Sequence, residues 1–367
     1  MKENNDFKFF LEKHSGEKHI IIQTGNPDPD SISCALAHQL IAKEYNIDCD
    51  ILYENNISHQ QNLALVNLLN IDMLKFDSKK DFTKYSHAIF VDNQANSSII
   101  IEKLKKDNVQ FALIVDHHQL QNLISPELAH IEKVQAAATL YIEYLKNGII
   151  DNFAINPDCK KISTALMLAL RTETNNFLTA KKRDLEAAAF ISDYIDHDIF
   201  NEIVNTKRSH EVVETFQKAI KNRKIVNGYS IAGICFLSSK HRDALPQIAD
   251  FLLTEENIHT SICFGIIIKE NGEEYINGSL RTCNLNINAD TFIKECFGCA
   301  PNNQPYGGGK ISMGAFEIPL NFLSGNIHNS SENEFMKLKW QVYYEKICEC
   351  IFKTIGVSHK DNNDINI

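Results

Sequence analysis

The sequence predicts an α/β protein with a parallel sheet in its first domain and a smaller mixed α/β domain after it. Up to residue 115, short apolar runs alternate with segments of helical periodicity, a pattern typical of βαβ units. From residue 224 the runs become longer, and an Asn-Gly pair at 271–272 predicts a hairpin between two of them. A chain of 367 residues is long enough for two ordinary domains.

The domain boundaries follow from these changes in pattern. We predict a first domain over residues 1–204, a helical linker over 205–225 that bridges two domains, a second domain with a C-terminal helix over 226–355, and a polar tail over 356–367.

Apolar runs predict the strands, and apolar residues spaced by three and four predict the helices. In the first domain, strands are predicted over residues 19–23, 49–53, 87–91 and 111–115, and helices over 7–13, 31–45, 60–69, 97–106, 132–146, 160–170 and 180–198. In the second domain, strands are predicted over 230–237, 261–268, 275–281 and 314–319, and helices over 243–253, 289–296 and 332–354.

The charge balance limits the class of partner. The formal net charge is −10, which argues against a broad basic surface for long duplex DNA, because such binding needs many phosphate contacts. A small phosphorylated substrate, held by a metal and a few cationic side chains, remains compatible with this charge.

The sequence predicts a cytoplasmic protein without a membrane partner. Residues 1–10 lack the apolar core of a signal peptide, and no apolar run reaches the length of a membrane span. The ten cysteines are interpreted as reduced thiols, and the single pair Cys296-x-x-Cys299 as small apolar residues rather than a zinc site.

The predicted strands of the first domain end at acidic and imidazole side chains. These are Asp28, Asp30, Asp92, Asp116, His117 and His118. Parallel strands present their carboxyl ends at one edge of the sheet, so we expect these groups to meet there. Oxygen ligands with imidazole predict a divalent cation such as Mn²⁺ or Mg²⁺. The simpler alternatives are a helix N-cap at Asp30 or Ser31 and a turn residue at Asp92.

In combination these motifs resemble the DHH phosphoesterase superfamily, and specifically its nanoRNase or oligoribonuclease-like members. The resemblance covers roughly residues 19–320. It rests on Asn-Pro-Asp-x-Asp at 26–30, Asp92, Asp-His-His at 116–118, Arg-Thr-Glu-Thr at 171–174, Gly-Ser-Leu-Arg at 278–281 and Gly-Gly-Gly at 307–309. The last two elements look like those of the DHHA1 type of substrate-binding domain.

The resemblance implies a phosphoesterase with two Mn²⁺ ions, or Mg²⁺ in their place, that acts at a cleft between two domains. It implies metal ligands at Asp28, Asp30, Asp92, His117 and Glu173, with Asp92 bridging the two ions, and catalytic roles for Asp116 and His118, with His118 approaching the scissile phosphate. It also implies that the far phosphate or terminal nucleotide is bound by Arg281, Gly307, Gly308, Gly309 and Lys310.

Three positions depart from the family pattern. Thr24 replaces a metal-binding His, Glu173 replaces an Asp, and Lys310 replaces a common His. The first two motivate an alternative hypothesis, a nucleotide-binding or regulatory protein with a degraded active site.

The expected substrate is a short oligonucleotide or a small phosphorylated nucleotide. NanoRNA, 3′-phosphoadenosine phosphate and dinucleotides are equally compatible with these residues, and a homodimer is left open. The other histidines, among them His14, His19, His38, His59 and His87, are scattered along the chain and are interpreted as surface or core residues.

Overall fold

The structure is a computed structural model that describes residues 2–57, 59–269, 271–325 and 332–357. It divides the chain into two compact units, Met1–Lys207 and Arg208–Ile367. Residues 358–367 of the predicted polar tail lie outside the described residues. Within the described part of the chain, no helix is both long enough and apolar enough to cross a membrane.

The first unit alternates strands and helices. Its strands are β1 (Lys18–Gln23), β2 (Asp48–Tyr53), β3 (Leu74–Lys75), β4 (His87–Val91), β5 (Gln110–Asp116) and β6 (Leu128–Ile131). Its helices are α1 (Lys2–Lys13), α2 (Pro29–Glu44), α3 (Gln60–Leu68), α4 (Ser98–Lys106), α5 (Ala137–Lys146), α6 (Cys159–Glu173), α7 (Lys182–Ile191) and α8 (His197–Val204).

The first sheet is entirely parallel, in the order β3-β2-β1-β4-β5-β6. Its central strands are apolar on both faces, because alternate residues enter different cores. Ile21 lies in one hydrophobic cluster, whereas Ile20 and Ile22 lie in another. The predicted α/β class with a parallel sheet is therefore confirmed. The strand order reverses between β1 and β4, which is where open sheets of this type bind ligands.

Two predicted helices of the first unit differ in the structure. The helix predicted over residues 132–146 begins only at Ala137. Residues 128–131, just before the predicted start, form β6 and pair with β5. The helix predicted over residues 180–198 is two helices, because the chain turns at Ile195 and the Asp196 side chain caps α8 by accepting the Ile199 N–H. Both breaks depend on local capping or strand pairing, which apolar periodicity does not report.

The second unit contains a mixed sheet and four helices among its described residues. Its strands are β7 (Lys224–Val226), β8 (Tyr229–Ser238), β9 (Thr260–Ile268), β10 (Glu274–Thr282), β11 (Gly307–Gly309) and β12 (Met313–Pro319). Its helices are α9 (His210–Asn222), α10 (Ala244–Leu252), α11 (Ala289–Phe297) and α12 (Glu332–Thr354).

The second sheet has the order β11-β12-β10-β9-β8-β7, with only β8 and β9 parallel among its described pairs. The predicted hairpin joins β9 to β10, and Gly272 takes a φ of +83° in its turn. Helix α9, which we expected to bridge two domains, packs within this unit through buried Val212 and Ala219. Its amphipathic spacing gives it an apolar face that the second sheet covers.

Candidate functional site

The carboxyl ends of β1, β4 and β5 surround a small polar cavity. Its volume is about 200 Å³, and it is lined by Thr24, Asn26, Asp28, Ser31, Asp92, Asn93, Asn96, Asp116, His118 and Gln121. The acidic groups that follow three separate strands are thus brought to one place, at the point where the strand order reverses.

Asp92 is the central group of this site. It follows β4 with a φ of +56°, a left-handed conformation that Asp tolerates better than most residues. Its Oδ1 atom is buried and accepts no hydrogen bond from any residue that the structure describes. Burial, with the charges of Asp30 and Asp28, raises the pKa of Asp92 well above its ordinary value. A buried, ionised carboxylate oxygen without a donor is unfavourable unless the group is protonated or a cation lies beside it.

His117 directs a lone pair toward Asp92. Its Nδ1 lies 3.1 Å from the carbonyl oxygen of Val134. Because a carbonyl only accepts, Nδ1 carries a proton, and in the neutral ring Nε2 therefore keeps its lone pair. That Nε2 lies 3.3 Å from Asp92 Oδ1 and 3.8 Å from Asp30 Oδ2. This is the arrangement in which a backbone carbonyl orients a metal-binding imidazole.

Asp116 positions both histidines. Its Oδ1 accepts the backbone N–H of His117 and the Nδ1–H of His118, each at 2.8 Å. Its Oδ2 accepts the Gln94 side-chain amide at 2.7 Å. Burial favours a raised pKa, but the hydrogen bonds from His118 and Gln94 outweigh it and lower the pKa of Asp116. The His118 side chain remains 37% exposed, so its ring is accessible beside the cavity.

The two carboxylates at the start of α2 have different environments. Asp28, rather than Asp30 or Ser31, is the N-cap of α2, and its Oδ1 accepts the Ser31 N–H at 2.9 Å. Asp30 is fully buried, and its two oxygens accept the N–H groups of Ala137 and Ala138 at 2.7 and 2.9 Å. Asp30 therefore caps the start of α5 across the unit while lying near His117.

Glu173 and Thr24 lie at the edge of the site, outside its central group of ligand atoms. Ligand atoms of Asp92, Asp116, His117 and His118 all lie within 4.8 Å of one another. Glu173 is outside that group, at the last position of α6, and its charge contributes to the raised pKa of Asp92. Thr24 lines the cavity beside Asp28 and Asp92, where its hydroxyl is a weak ligand for a divalent cation.

A divalent cation fits this site on two observations. The buried Oδ1 of Asp92 lacks a donor, and the tautomer of His117 leaves a lone pair on the nitrogen that faces it. Carboxylate oxygens with one imidazole nitrogen are a donor set for Mn²⁺ or Mg²⁺.

The predicted substrate-binding residues meet in a separate pocket of the second unit. This pocket has a volume of about 510 Å³ and is lined by residues that include Arg242, Arg281, Gly307, Gly308, Gly309 and Lys310. The Arg281 guanidinium is held by Asp250 Oδ1 at 2.7 Å and Ser279 Oγ at 2.8 Å. Three cationic side chains thus line one pocket, together with the acidic Asp243 and Glu317.

The three glycines, which the resemblance assigns to phosphate binding, form an edge strand. They pair with β12, and a Cβ on Gly307 or Gly309 would lie 2.3 or 2.2 Å from a carbonyl oxygen of that strand. The Gly309 N–H donates to Asp290 Oδ1 at 2.9 Å. Close strand packing therefore requires glycine at these two positions.

Gln94 was not among the predicted site residues. Its amide donates to Asp116, and its Oε1 accepts the Gln121 N–H at 2.8 Å, which ties the loop after β5 to the end of β4. Its position two residues after the strand-end Asp92 was the available signal in the sequence.

The comparisons with known proteins agree with this architecture. Residues 18–170 match the family described as DHH family, N-terminal domain. An uncharacterised protein of Methanocaldococcus jannaschii is 34% identical over 355 residues, which cover 96% of this chain and 67% of that protein.

Solved structures show the same fold. The crystal structure of an exopolyphosphatase-related protein from Bacteroides fragilis has a TM-score of 0.67 at 13% identity, covering 95% of this chain and 97% of that one. RecJ from Thermus thermophilus, crystallised with Mn²⁺, has a TM-score of 0.50 at 11% identity, covering 94% of this chain and 55% of that one.

The family match and the cluster of carboxylates and imidazoles together support a metal-dependent phosphoesterase or nuclease. With residues 18–170 matched to the family's N-terminal domain, and a relative that is 34% identical over 96% of the present chain, this chain belongs to the DHH family.

Proposed function

We propose that the protein is a metal-dependent phosphodiesterase that hydrolyses short oligonucleotides or small phosphorylated nucleotides. The observation that carries the proposal is the buried, donor-free Oδ1 of Asp92, which faces the lone pair of His117 Nε2 at 3.3 Å. Two acceptors held this close must share either a proton or a metal cation, and the proposal assigns a metal cation to this position.

The residues that would hold the metal are Asp28, Asp92 and His117, with Asp30 and Glu173 as further carboxylates. When bound, Mn²⁺ or Mg²⁺ lowers the pKa of a coordinated water and stabilises negative charge on a phosphoryl oxygen. Mn²⁺ is our first choice because the solved RecJ from Thermus thermophilus contains it.

His118 is proposed to contact the phosphate. Asp116 accepts its Nδ1–H at 2.8 Å and thereby fixes the orientation of the ring. A proton carried on Nε2 can be donated to a phosphate oxygen or to the leaving oxygen of the ester, which is general-acid assistance. The 37% exposure of this side chain gives a substrate access to the ring.

The pocket of the second unit is proposed to bind a nucleotide phosphate. Its volume of about 510 Å³ lies in the range of pockets for small ligands. Arg281, Arg242 and Lys310 supply positive charge there, whereas the chain as a whole has a net charge of −10. Asp243 and Glu317 also line the pocket, so its three cationic side chains leave an excess of one positive charge. On an acidic protein, such a pocket suits a short anionic ligand better than a long polymer.

The test measures hydrolysis of a labelled dinucleotide, 3′-phosphoadenosine phosphate and a longer oligonucleotide while Mn²⁺ is titrated. We expect turnover that requires the metal. We also expect turnover to fall at least a hundredfold in Asp92→Ala, because Asp92 is the central carboxylate of the proposed metal site. Asp48→Ala is the matched control, since Asp48 lies on β2 at the amino-terminal edge of the same sheet. Undiminished activity in Asp92→Ala would exclude this assignment of the site.

A second candidate function is a nucleotide-binding or regulatory protein without turnover. It is favoured by Thr24, which lines the cavity in place of a stronger ligand, and by Asp30, whose two oxygens already accept N–H groups from α5. The same assay separates the two functions. Tight dinucleotide binding without turnover at saturating Mn²⁺ would establish the second.

A further inference from the structure

A second group of potential ligands lies at the amino-terminal edge of the first sheet. It consists of His14, Glu17, His19 and His87, and we call it the histidine cluster. His19 on β1 and His87 on β4 are partners in the strand register. His14 follows α1, and Glu17 precedes β1. Residues remote in sequence are thus brought together by the pairing of the two central strands.

The three imidazoles of the histidine cluster converge on one oxygen atom. Glu17 Oε2 lies 3.2 Å from His14 Nδ1, 3.1 Å from His19 Nε2 and 2.6 Å from His87 Nδ1. The Ser86 hydroxyl donates to the same oxygen at 2.8 Å. A carboxylate oxygen has about two acceptor sites, so four donors cannot all be satisfied by it. Three ring nitrogens that converge in this way are better explained as ligands of a shared cation.

The dimensions of the cluster suit a tetrahedral ion. All four ligand atoms lie within 4.8 Å of one another. Metal–ligand bonds of about 2.1 Å would place tetrahedral ligands about 3.4 Å apart, so only small side-chain movements are needed. The three rings also meet edge to face, with interplanar angles of 72°, 71° and 69°. Rings inclined in this way can each direct one nitrogen to a common centre.

An outer contact orients one of the ligands, His14. The second nitrogen of His14, Nε2, lies 3.2 Å from Glu127 Oε2, and Lys13 binds the other oxygen of Glu127 at 2.6 Å. A carboxylate on the far nitrogen of an imidazole is the usual support of a metal-binding histidine. The Glu17 side chain is 32% exposed and lines a cavity of about 530 Å³ that none of the three histidines lines, so Glu17 forms the exposed side of the cluster.

We propose that His14, Glu17, His19 and His87 bind one Zn²⁺ ion in a structural site. Three imidazoles favour zinc over Mn²⁺ or Mg²⁺, which prefer oxygen ligands. Four protein ligands fill a tetrahedral shell, which is typical of a structural site and not a catalytic one. The site is separate from the carboxylate site around Asp92, since the five residues from His87 to Asp92 span about 16 Å along a strand.

The first test uses the untagged full-length protein with Asp92→Asn, so that the carboxylate site does not contribute to metal binding. The chain is loaded with Zn²⁺, dialysed and analysed for metal content, and its affinity is measured against a chromophoric chelator. We expect one zinc ion per chain, and at least tenfold weaker binding when His87→Gln is added. His130→Gln is the matched control, because His130 is a partly buried histidine beside Glu132, outside the cluster. Equal zinc affinity in the His87 and control variants would overturn the proposal.

A second measurement does not depend on the folding of any cluster variant. Co²⁺ is titrated into the Asp92→Asn protein, and the visible spectrum is recorded together with the melting temperature. We expect the intense absorption bands of tetrahedral Co²⁺ at one equivalent, and a melting temperature that rises with Zn²⁺ and falls with a chelator. A weak, octahedral-type spectrum or an unchanged melting temperature would show a hydrogen-bonded histidine cluster without a metal, and would overturn the proposal.

Discussion

Two aspartates of the carboxylate site have opposite electrostatic environments, although both follow strands of one sheet. Asp92 lacks a donor on its buried Oδ1, and burial with the neighbouring charges of Asp30 and Asp28 raises its pKa. Asp116 accepts three hydrogen bonds, and its pKa is lowered. Environments that shift the pKa values of two carboxylates in opposite directions are typical of sites in which the two groups have different roles. Asp116 holds both histidines through hydrogen bonds, whereas the cation beside Asp92 is our proposal.

The first prediction concerns the stability cost of Asp92. We expect Asp92→Asn to raise the free energy of unfolding of the metal-free protein by roughly 0.5–2 kcal/mol, because it removes like-charge repulsion, and Asn tolerates the φ of +56°. Hydrolysis and Mn²⁺ binding should be lost. Urea denaturation in the presence of a chelator measures the first effect, and metal titration measures the second.

Asp116→Asn is the contrasting variant for this prediction. It weakens the acceptor of His117 N–H and of His118 Nδ1–H, so the free energy of unfolding should fall by roughly 1–3 kcal/mol. If both variants change stability in the same direction, the proposed division between the two carboxylates is incorrect.

The second prediction restores an imidazole at the edge of the cavity. Thr24 lines the cavity with Asp28 and Asp92, so a histidine there can reach the same ion. We expect Thr24→His to tighten Mn²⁺ binding by about tenfold, a gain of about 1.4 kcal/mol. Isothermal titration of Mn²⁺ measures the change, with Thr24→Val as a control of similar shape. An affinity equal to that of the control would mean that the residue at this position does not reach the metal.

At the scale of elements, the packing of α2 against α1 and α5 encloses a neutral histidine. His38 is fully buried on α2, beside Phe7 of α1, and its Nδ1 lies 3.1 Å from the hydroxyl of Tyr141 on α5. Burial lowers the pKa of His38 from 6.5 to about 3. The folded state therefore resists protonation of this ring over a range in which the unfolded chain accepts a proton.

The third prediction follows from that difference. A lowered folded-state pKa means that stability is intact above pH 6.5 and is lost as the pH falls from 6.5 toward 3. At pH 5 the contribution of His38 amounts to about 2 kcal/mol of lost stability. His38→Gln should remove this part of the pH dependence of the free energy of unfolding, even if the substitution lowers stability at pH 7. Urea unfolding at pH 7, 6 and 5 measures both proteins, and parallel curves would contradict the assignment.

The sequence predicted best those elements whose side chains are buried on both faces. The strands over 87–91 and 19–23 were predicted within one residue, because runs such as Ile20-Ile21-Ile22 have no other stable environment in a soluble fold. The short strand β6 was missed because it has only four residues, none fully buried, and His130 interrupts their apolar character.

The residues of the carboxylate site could be named from the sequence, but their contacts could not. Asp92 and Asp116 could be named as site residues because they lie at the carboxyl ends of predicted strands. The cap that Asp30 provides to α5 joins residues more than 100 positions apart, and the histidine cluster depends on the register of His19 with His87. Contacts of that kind arise from the folded sheet, so His14, His19 and His87 looked unrelated in the sequence.

At the scale of the whole molecule, each compact unit contains a complete sheet with its own hydrophobic clusters. In the first unit the six parallel strands lie between two clusters, one containing Ile21 and the other Ile20 and Ile22. The second unit has two further clusters around its mixed sheet. The boundary falls after Lys207, in a segment without helix or strand between α8 and α9. A unit with a closed core of this kind meets the physical requirements for independent folding.

The fourth prediction is that a chain ending at Lys207 folds cooperatively and binds Mn²⁺ with the affinity of the full-length protein. All the groups assigned to the metal, from Asp28 to Glu173, lie within that part of the chain. Its hydrolysis of dinucleotides should show a KM raised at least tenfold, because the pocket around Arg281 belongs to the second unit. Arg281→Ala in the full-length protein is the matched comparison and should raise KM in the same direction. Circular dichroism, metal titration and steady-state kinetics on both proteins provide the measurements.

A truncated chain that folds, binds Mn²⁺ and keeps the full-length KM would show that the pocket of the second unit does not bind the substrate. The assignment of the carboxylate site would be unaffected by that result.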